Sequence, residues 1–302
     1  MKYIVFDMEW NQPAWSGGMV MNPVPLTGEI IEIGAVRLNA DLQVEEDFCI
    51  YVTPQYYRSM NRAVQRLTNI RGKYLRENGV PFPEACRRFL DWCGEEYTFV
   101  SWGQNDLPML VENMRLHGIP ADELPGCIDL QQLFAREVLH SRQQTSLDDA
   151  LEQLEEVGEE AHDALHDARN TVKVCAHLPL QDCPDSCRTR IFPVNQQRRE
   201  FGHRNDVLRD RDLKNFVCPC CGRTVETDLW VRVNGGRSMA RGVCPCGHGY
   251  ILYLNFYETR SEKFRTARML YALTDDLQES YEKKRKRQQD LQQQWKERRR
   301  KH

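Results

Sequence analysis

Two acidic residues, Asp7 and Glu9, stand one residue apart in the apolar segment "YIVFDMEW" near the start of the chain. Alternate residues of a strand share a face, so both carboxylates would point the same way. Like charges this close repel each other unless a cation lies between them or one of them holds a proton. A solvated sheet edge is the simpler explanation, but Asp is unfavourable in strands and the neighbouring residues are apolar. The pair therefore predicts half of a metal site.

Two more acids and a histidine are candidates for the other half of the site. Asp106 follows the strand-like segment "YTFVSWGQN" and begins the helical pattern "DLPMLVENMRLHG", where it is a plausible N-cap. Asp167 lies in the first turns of "DALHDARNTVKVCAHL". His162 precedes Asp167 by five residues, which within one helix would place them about 140° apart. The two serve one site only if His162 lies on the loop before the helix.

The elements that would position these residues alternate along the first 180 residues. Strand patterns rich in Ile and Val are bounded by Gly, Asn or Pro, and helical patterns begin at Pro, Asp or Ser. The predicted strands are 3–10, 28–39, 44–54 and 97–103, and the predicted helices are 83–94, 106–118, 146–158 and 163–178. This order predicts an α/β fold with a mixed sheet flanked by helices.

The order of these motifs resembles a known enzyme family. Asp-x-Glu, a distant Asp after a strand and then His-x4-Asp are similar to the DEDDh 3′–5′ exonucleases, which have an RNase H-like fold. The resemblance runs from about residue 2 to residue 178 and includes "EIIEIGAV" and "LTNI…FPEACRRFLDWC". The segment "FDMEWNQP" looks closest to the Eri and histone-mRNA exonuclease branch.

The resemblance implies a role for each motif residue. It implies that two Mg2+ or Mn2+ ions are held by four acids and that His162 is the general base that deprotonates the attacking water. It also implies hydrolysis of single-stranded RNA or DNA from the 3′ end, with release of 5′-mononucleotides. The implied metal ligands are Asp7, Glu9, Asp106 and Asp167.

Several neighbouring residues are assigned by their position alone. His166 is interpreted as a surface histidine, and Asp163 as a charge at the N-terminus of a helix. Met8 and Trp10 are candidates for substrate contact, although both fit the core or the wall of the site equally well, and Trp10 could stack on a terminal base. Glu32 is expected to face solvent or a neighbouring strand.

Five of the twelve cysteines lie within residues 218–246, in the segments "CPCCGR" and "CPCGHG". Paired turns of this kind are typical of a zinc ribbon, in which thiolates bind one Zn2+ tetrahedrally. The second Cys-x-Cys spacing is one residue short, so Cys220 and His248 stay open as substitutes. The predicted zinc ligands are Cys218, Cys221, Cys244 and Cys246. The seven other cysteines are interpreted as reduced thiols.

The chain is predicted to divide into four parts. An exonuclease domain covers residues 1–180, a polar linker covers 181–215, a zinc ribbon covers 216–258, and a basic tail, helical or disordered, covers 259–302. Within the tail, "TRSEKFRTARMLYALTDDLQES" is predicted to be helical. The ribbon is expected to contain strands at "DLWVRV" and "GYILYLNFYE".

Charge is distributed unevenly between the two halves of the chain. Residues 1–180 hold 15 Lys and Arg against 28 Asp and Glu, whereas residues 181–302 hold 26 against 16. A basic half favours a nucleic-acid partner, and its charges could bind the nucleic-acid substrate directly. The alternative is that the tail binds a ribonucleoprotein. Solubilising charge that happens to segregate would give the same numbers.

The sequence also bears on location and on the competing functional class. It contains neither a membrane-length apolar stretch nor a signal-peptide pattern, and we therefore expect a cytoplasmic protein without membrane partners. The alternative to an enzyme is a non-catalytic nucleic-acid-binding or scaffold protein built on a nuclease fold. All five catalytic positions are filled, which favours the enzyme.

Overall fold

The computed structural model describes residues 2–14, 19–20, 25–121, 123–192, 194, 199–233, 236–259 and 262–300, with side chains up to residue 294. The chain forms two compact units. The first comprises residues 1–20 and 26–189, and the second is built mainly from residues 190–302. None of the helices in the described ranges has the length and apolarity that a membrane crossing requires.

The first unit is built on a six-stranded mixed sheet. Its strands are β1 Lys2–Asn11, β2 Glu29–Leu38, β3 Val44–Tyr51, β4 Tyr97–Ser101, β5 Cys127–Asp129 and β6 Arg188–Thr189. The strand order is β3-β2-β1-β4-β5-β6. The first three strands form an antiparallel meander, while β1, β4 and β5 run parallel to one another. The C-terminal ends of β1 and β4 therefore lie at the same edge of the sheet, which brings distant parts of the chain together there.

Within the described residues, seven α-helices accompany this sheet. They are α1 Arg62–Thr68, α2 Gly72–Asn78, α3 Phe82–Cys93, α4 Asp106–Leu116, α5 Leu130–Glu137, α6 Leu147–Gln153 and α7 Ala164–Cys175. On one face of β1, the ring of Phe6 lies 6.2 Å from that of Phe89 in α3. On the other face, Tyr3 and Val5 belong to a core cluster with Ala168 and Val174 of α7. The mixed sheet flanked by helices that the sequence predicts is confirmed.

The second unit contains a five-stranded antiparallel sheet and a separate two-stranded one. The strands of this unit are β7 Ile191–Phe192, β8 Asn215–Val217, β9 Thr224–Glu226, β10 Val231–Arg232, β11 Arg237–Val243, β12 Gly249–Glu258 and β13 Phe264–Ala272. The larger sheet has the order β10-β11-β12-β13-β7, and β8 pairs with β9. The α-helices of this unit are α8 Arg204–Arg209, α9 Arg211–Lys214 and α10 Asp275–Arg300.

Residues 181–215 differ from the predicted linker. The structure places β6, β7, α8 and α9 within this range, and β6 pairs with β5 as the edge strand of the first sheet. A strand of two residues has no periodicity, so only its pairing partner makes it recognisable. The polar composition that suggests a linker instead belongs to short elements of two to six residues.

The prediction of a helix over "TRSEKFRTARMLYALTDDLQES" is wrong for its first part. Residues 264–272 form β13, which pairs with β12, and the helix begins only at Asp275. Thr266, Arg268 and Leu270 are buried and alternate with less buried neighbours. The period of two is not evident in the sequence because one of the buried positions is an arginine. Arg268 donates hydrogen bonds to three backbone carbonyls instead of facing solvent.

The first half of helix α10 is anchored to the five-stranded sheet of the second unit. Tyr281 is fully buried, and its hydroxyl donates to the Leu229 carbonyl at 2.8 Å. About two turns later, the Gln288 side chain accepts from the Arg232 backbone N–H and donates to the Trp230 carbonyl. The basic tail is therefore helical and packed over this part of its length.

Candidate active site

Strand β1 carries the first two acids on the face that packs against α7. Tyr3, Val5, Asp7 and Glu9 alternate along one side of the strand, and the first two belong to the core shared with α7. Apolar residues thus bury the middle of this face, and Asp7 and Glu9 occupy the part of it toward the C-terminal end of the strand. The sequence pattern of an apolar strand that becomes acidic matches this placement.

Asp106 reaches the same edge of the sheet from β4. Four residues separate the end of β4 from Asp106, which is the first residue of α4, after Asn105 as the cap. The Asp106 Oδ1 atom accepts a hydrogen bond from the Met8 backbone N–H at 3.1 Å. Asp106 is therefore not the N-cap as predicted, because Asn105 takes that position and the Asp106 carboxylate accepts from β1.

A glycine in β2 lets α7 approach the sheet. A Cβ atom built on Gly34 would lie 2.1 Å from the Ala164 carbonyl carbon and 2.2 Å from the Leu165 nitrogen. Only a residue without a side chain allows this contact, which sets the distance between the start of α7 and the sheet. This role of Gly34 was not predicted, although an isolated glycine inside a strand is a signal of close backbone approach.

His162 lies on the loop before α7, as the shared-site argument requires. Asp163 is the N-cap of the helix and accepts from the Leu165 and His166 backbone N–H groups. The His162 backbone adopts a left-handed φ of 68°, and its N–H donates to the Asp167 Oδ2 atom at 3.0 Å. Ligand atoms of Glu9, His162 and Asp167 all lie within 4.8 Å of one another. The turn therefore brings the imidazole to the carboxylates.

The carboxyl groups of this cluster are held in an unfavourable electrostatic environment. Burial, together with repulsion from Asp106, Asp167 and Glu9, raises the pKa of Asp7 well above its usual value. Burial and the neighbouring acids raise the pKa of Glu9 to about 8, and burial raises that of Asp106 to about 7. Burial also raises the pKa of Asp167. Such a cluster binds protons or cations to relieve the repulsion.

Glu32 is part of this environment and not a solvent-facing residue. It is fully buried in β2 and lies directly opposite Glu9 in the β1–β2 pairing. Its Oε2 atom accepts from the Ala164 backbone N–H at 3.3 Å, and burial raises its pKa to about 7. Glu32 thereby ties the start of α7 to the sheet. An acid inside the apolar run "IIEIGAV" was the available signal.

The two predicted substrate contacts occupy different positions. Met8 is 2% exposed and, by strand alternation, its side chain faces away from Asp7 and Glu9, so only its backbone N–H reaches the cluster. Trp10 is half-buried and packs against Gly28, since a Cβ atom there would lie 2.4 Å from its ring. His166 is 36% exposed, with its Nε2 atom 3.6 Å from Glu159. Its side chain thus has an acidic partner outside the cluster.

The second unit contains the predicted cysteine cluster. One ligand atom from each of Cys218, Cys221, Cys244 and Cys246 lies within 4.8 Å of all the others. The Cys218 and Cys246 sulfurs are 3.7 Å apart and the Cys221 and Cys244 sulfurs 3.4 Å apart. Hydrogen bonds from the His248 backbone N–H and from Cys244 lower the pKa of Cys246 to about 5. A thiolate-binding metal would fit this arrangement.

Comparison with known proteins identifies the family. The exonuclease family model RNase_T matches residues 18–175, just over half of the chain. The chain belongs to this family. The matched range begins after β1 and includes Asp106, His162 and Asp167. The family thus confirms the enzyme class that the motif order indicates, an exonuclease. A search of curated proteins finds no match to this exonuclease.

Solved structures of other exonucleases share the fold. A 3′-exonuclease that recognises the 3′ end of the histone mRNA stem-loop aligns with a TM-score of 0.51 at 21% identity, covering 60% of this chain and 83% of that one. The nuclease domain of 3′hExo, a DEDDh family member bound to rAMP, gives the same score and identity and is covered to 93%. Cell-death related nuclease 4 aligns with a TM-score of 0.50 at 18% identity, covering 60% of this chain and 64% of that one.

Proposed function

We propose that this exonuclease hydrolyses single-stranded RNA or DNA from the 3′ end and releases 5′-mononucleotides with the help of two divalent cations. The observation that carries the proposal is the convergence of four acids and His162 from three separate segments of the chain. Each segment supplies a motif residue to the same edge of one sheet. The 3′-exonuclease structures that share the fold, one on an mRNA end and one with rAMP, support a nucleic-acid 3′ end as substrate.

The donor atoms of this cluster fit hard cations. Carboxylate oxygens are the ligands that Mg2+ and Mn2+ prefer, and Asp7, Glu9, Asp106 and Asp167 would hold these ions. The leading influences on the pKa of Asp7 and Glu9 are burial and other acids, so positive charge at this place would relieve the repulsion. The chemistry that such a pair of ions supplies is activation of a water and stabilisation of the leaving 3′-oxygen.

The chain's own residues would orient and deprotonate the attacking water. Among the five motif residues, only His162 has a side chain with a basic nitrogen. Its imidazole would accept the proton of the water as general base. Asp167 fixes the loop that carries it through the 3.0 Å hydrogen bond from the His162 N–H. The left-handed backbone conformation of His162 costs free energy, because His162 is not a glycine. This conformation places the imidazole in the site.

Digestion of end-labelled oligonucleotides tests the proposal. RNA and DNA of one sequence, single- and double-stranded, carry a 5′ label and are incubated with Mg2+ or Mn2+. We expect a ladder that shortens from the 3′ end, with 5′-mononucleotides as the other product. Asp7→Asn is the matched control that excludes a contaminating nuclease. Internal cuts, or no hydrolysis with either metal, would favour the non-catalytic nucleic-acid-binding or scaffold protein instead.

We further propose that Cys218, Cys221, Cys244 and Cys246 bind one structural Zn2+. A tetrahedral ion with zinc–sulfur distances of about 2.3 Å separates its sulfurs by about 3.8 Å, and two of the sulfur pairs are 3.7 and 3.4 Å apart. The short second spacing is thus compatible with Cys246 as the fourth ligand. Elemental analysis of protein produced with sufficient zinc tests this site, and a chain without zinc would refute it.

The basic helix α10 is proposed as a grip on the substrate. Lys283, Lys286 and Arg287 are exposed on the part of α10 that is anchored to its sheet, so their charges are held in place. Each phosphate contact adds about 0.7 to the salt slope of single-strand binding. Replacing all three by Gln should weaken binding of long oligonucleotides and reduce that slope by up to about 2, while cleavage of very short ones persists. An unchanged slope would favour a ribonucleoprotein partner for this helix.

A further inference from the structure

A second set of soft metal ligands adjoins the four-cysteine cluster and shares one sulfur with it. The Sγ atoms of Cys220 and Cys246 and a ring nitrogen of His248 lie within 4.8 Å of one another. Cys246 also belongs to the first cluster, and Cys220 and His248 are exposed to solvent. Two ligand sets therefore meet at the Cys246 sulfur.

The backbone of the second turn holds His248 beside Cys246. Gly247 has a left-handed φ of 93°, which allows the chain to reverse. Its N–H donates to the Cys244 carbonyl at 2.9 Å, and the Cys244 N–H donates to the His248 carbonyl at 2.8 Å. The closed turn leaves the His248 Nδ1 atom 3.4 Å from the Cys246 sulfur. This proximity follows from backbone hydrogen bonds and does not depend on a flexible side chain alone.

The first turn presents Cys220 in a corresponding way. The Cys218 N–H donates to the Arg223 carbonyl at 2.8 Å, and the Gly222 N–H donates to the Cys218 carbonyl at 2.9 Å. Gly222 has a left-handed φ of 71°. Both cysteine-containing turns are thus closed by backbone hydrogen bonds and contain a left-handed glycine. In the sequence, Cys220 lies between the two cysteines that the first turn supplies to the cluster.

Four sulfurs complete the coordination of one tetrahedral ion, so Cys220 and His248 cannot be further ligands of that ion. A thiolate has more than one lone pair and can bridge two soft cations. We infer that Cys220, Cys246 and His248 bind a second soft divalent ion, with the Cys246 thiolate shared between the two ions. Three protein ligands leave one position open, and the second ion therefore exchanges more readily than the first. This inference rests on the proposed zinc site.

Titration of the full-length, metal-free chain with Cd2+ tests the inference. Absorption from thiolate-to-cadmium charge transfer reports only ions bound to sulfur, so Cd2+ at the carboxylate cluster of the first unit stays silent. We expect two successive steps of one equivalent each. The first forms four cadmium–sulfur bonds and the second forms two, so the second rise in absorption should be about half of the first.

Single substitutions separate the two sites. Cys220→Ser and His248→Ala should each remove or weaken the second step at least tenfold in affinity and leave the first step unchanged. Cys49→Ser, an exposed thiol of the first unit, is the matched control and should keep both steps. A single step in the unaltered chain, or a second step that survives both substitutions, would overturn the shared-sulfur site alone. The absence of any step would overturn the four-cysteine site as well.

Discussion

Gly34 offers a test of how the active site is positioned, because it touches none of the reacting atoms. In Gly34→Ala, the new Cβ would lie 2.1 Å from the Ala164 carbonyl carbon. Ordinary carbon–carbon contact needs about 3.5 Å, so β2 and the start of α7 must separate by about 1 Å or more. Both neighbouring atoms are backbone, and neither can move as a flexible side chain would.

The magnitude follows from what α7 carries. Overpacking of a core typically costs about 1–3 kcal/mol of unfolding free energy. A displacement of about 1 Å at a catalytic group can lower the rate about 100-fold. Asp167 and the hydrogen bond that holds His162 both lie within the first turn and the preceding loop, where the displacement is largest. We therefore expect Gly34→Ala to lose activity more severely than stability.

The assay pairs two measurements on the same protein. Single-turnover cleavage of a 5′-labelled oligonucleotide gives the rate, and urea unfolding gives the free energy of unfolding. Gly72→Ala is the matched control in the same unit, because its Cβ would meet only side-chain atoms, the nearest being Met60 Cγ at 3.3 Å. If Gly34→Ala were folded and cleaved the substrate at the rate of the Gly72→Ala control, the contact with α7 would not position the site.

Three further tests address the metal ligands, the general base and a buried acid. Asp7→Asn or Asp167→Asn should abolish hydrolysis yet raise the free energy of unfolding of metal-free protein, since each removes repulsion within the cluster; normal turnover in either would exclude them as ligands. His162→Ala should lower the rate about 10²–10⁴-fold, with metal binding measured by calorimetry unchanged, whereas a larger loss in His166→Ala would contradict the assignment. Burial raises the pKa of Glu112 to about 7 from an ordinary 4.5, so its stabilising contribution is present below pH 4.5 and is lost as pH rises through 7. The free energy of unfolding should therefore fall by up to about 3 kcal/mol between pH 5 and 8, and Glu112→Gln should abolish this fall. Parallel pH profiles of the two proteins in urea unfolding would refute this.

The order and type of the site residues could be read directly from the sequence. A strand pattern that becomes acidic, an Asp that follows a strand and a His-x4-Asp motif are local features, and each lies near the start or the end of a regular element. The helical period required His162 to lie on a loop if it shares a site with Asp167, because five residues of helix would have turned it away. Strand and helix periodicity repeat within a few residues, which is why such features survive without knowledge of the fold.

Contacts between distant segments required the tertiary structure. Glu32 became part of the acidic environment only through its pairing with Glu9, and Gly34 acquired its role only because α7 crosses β2 at that point. The strand at residues 264–272 was mistaken for a helix because Arg268, a charged residue, occupies a buried position that composition assigns to solvent. Likewise β6 is a strand only because β5 lies beside it. The sequence by itself determined which chemical groups are present and in what order. Long-range pairing decided which of them share a site, since burial, electrostatic repulsion and close backbone contact arise only between groups that folding brings together.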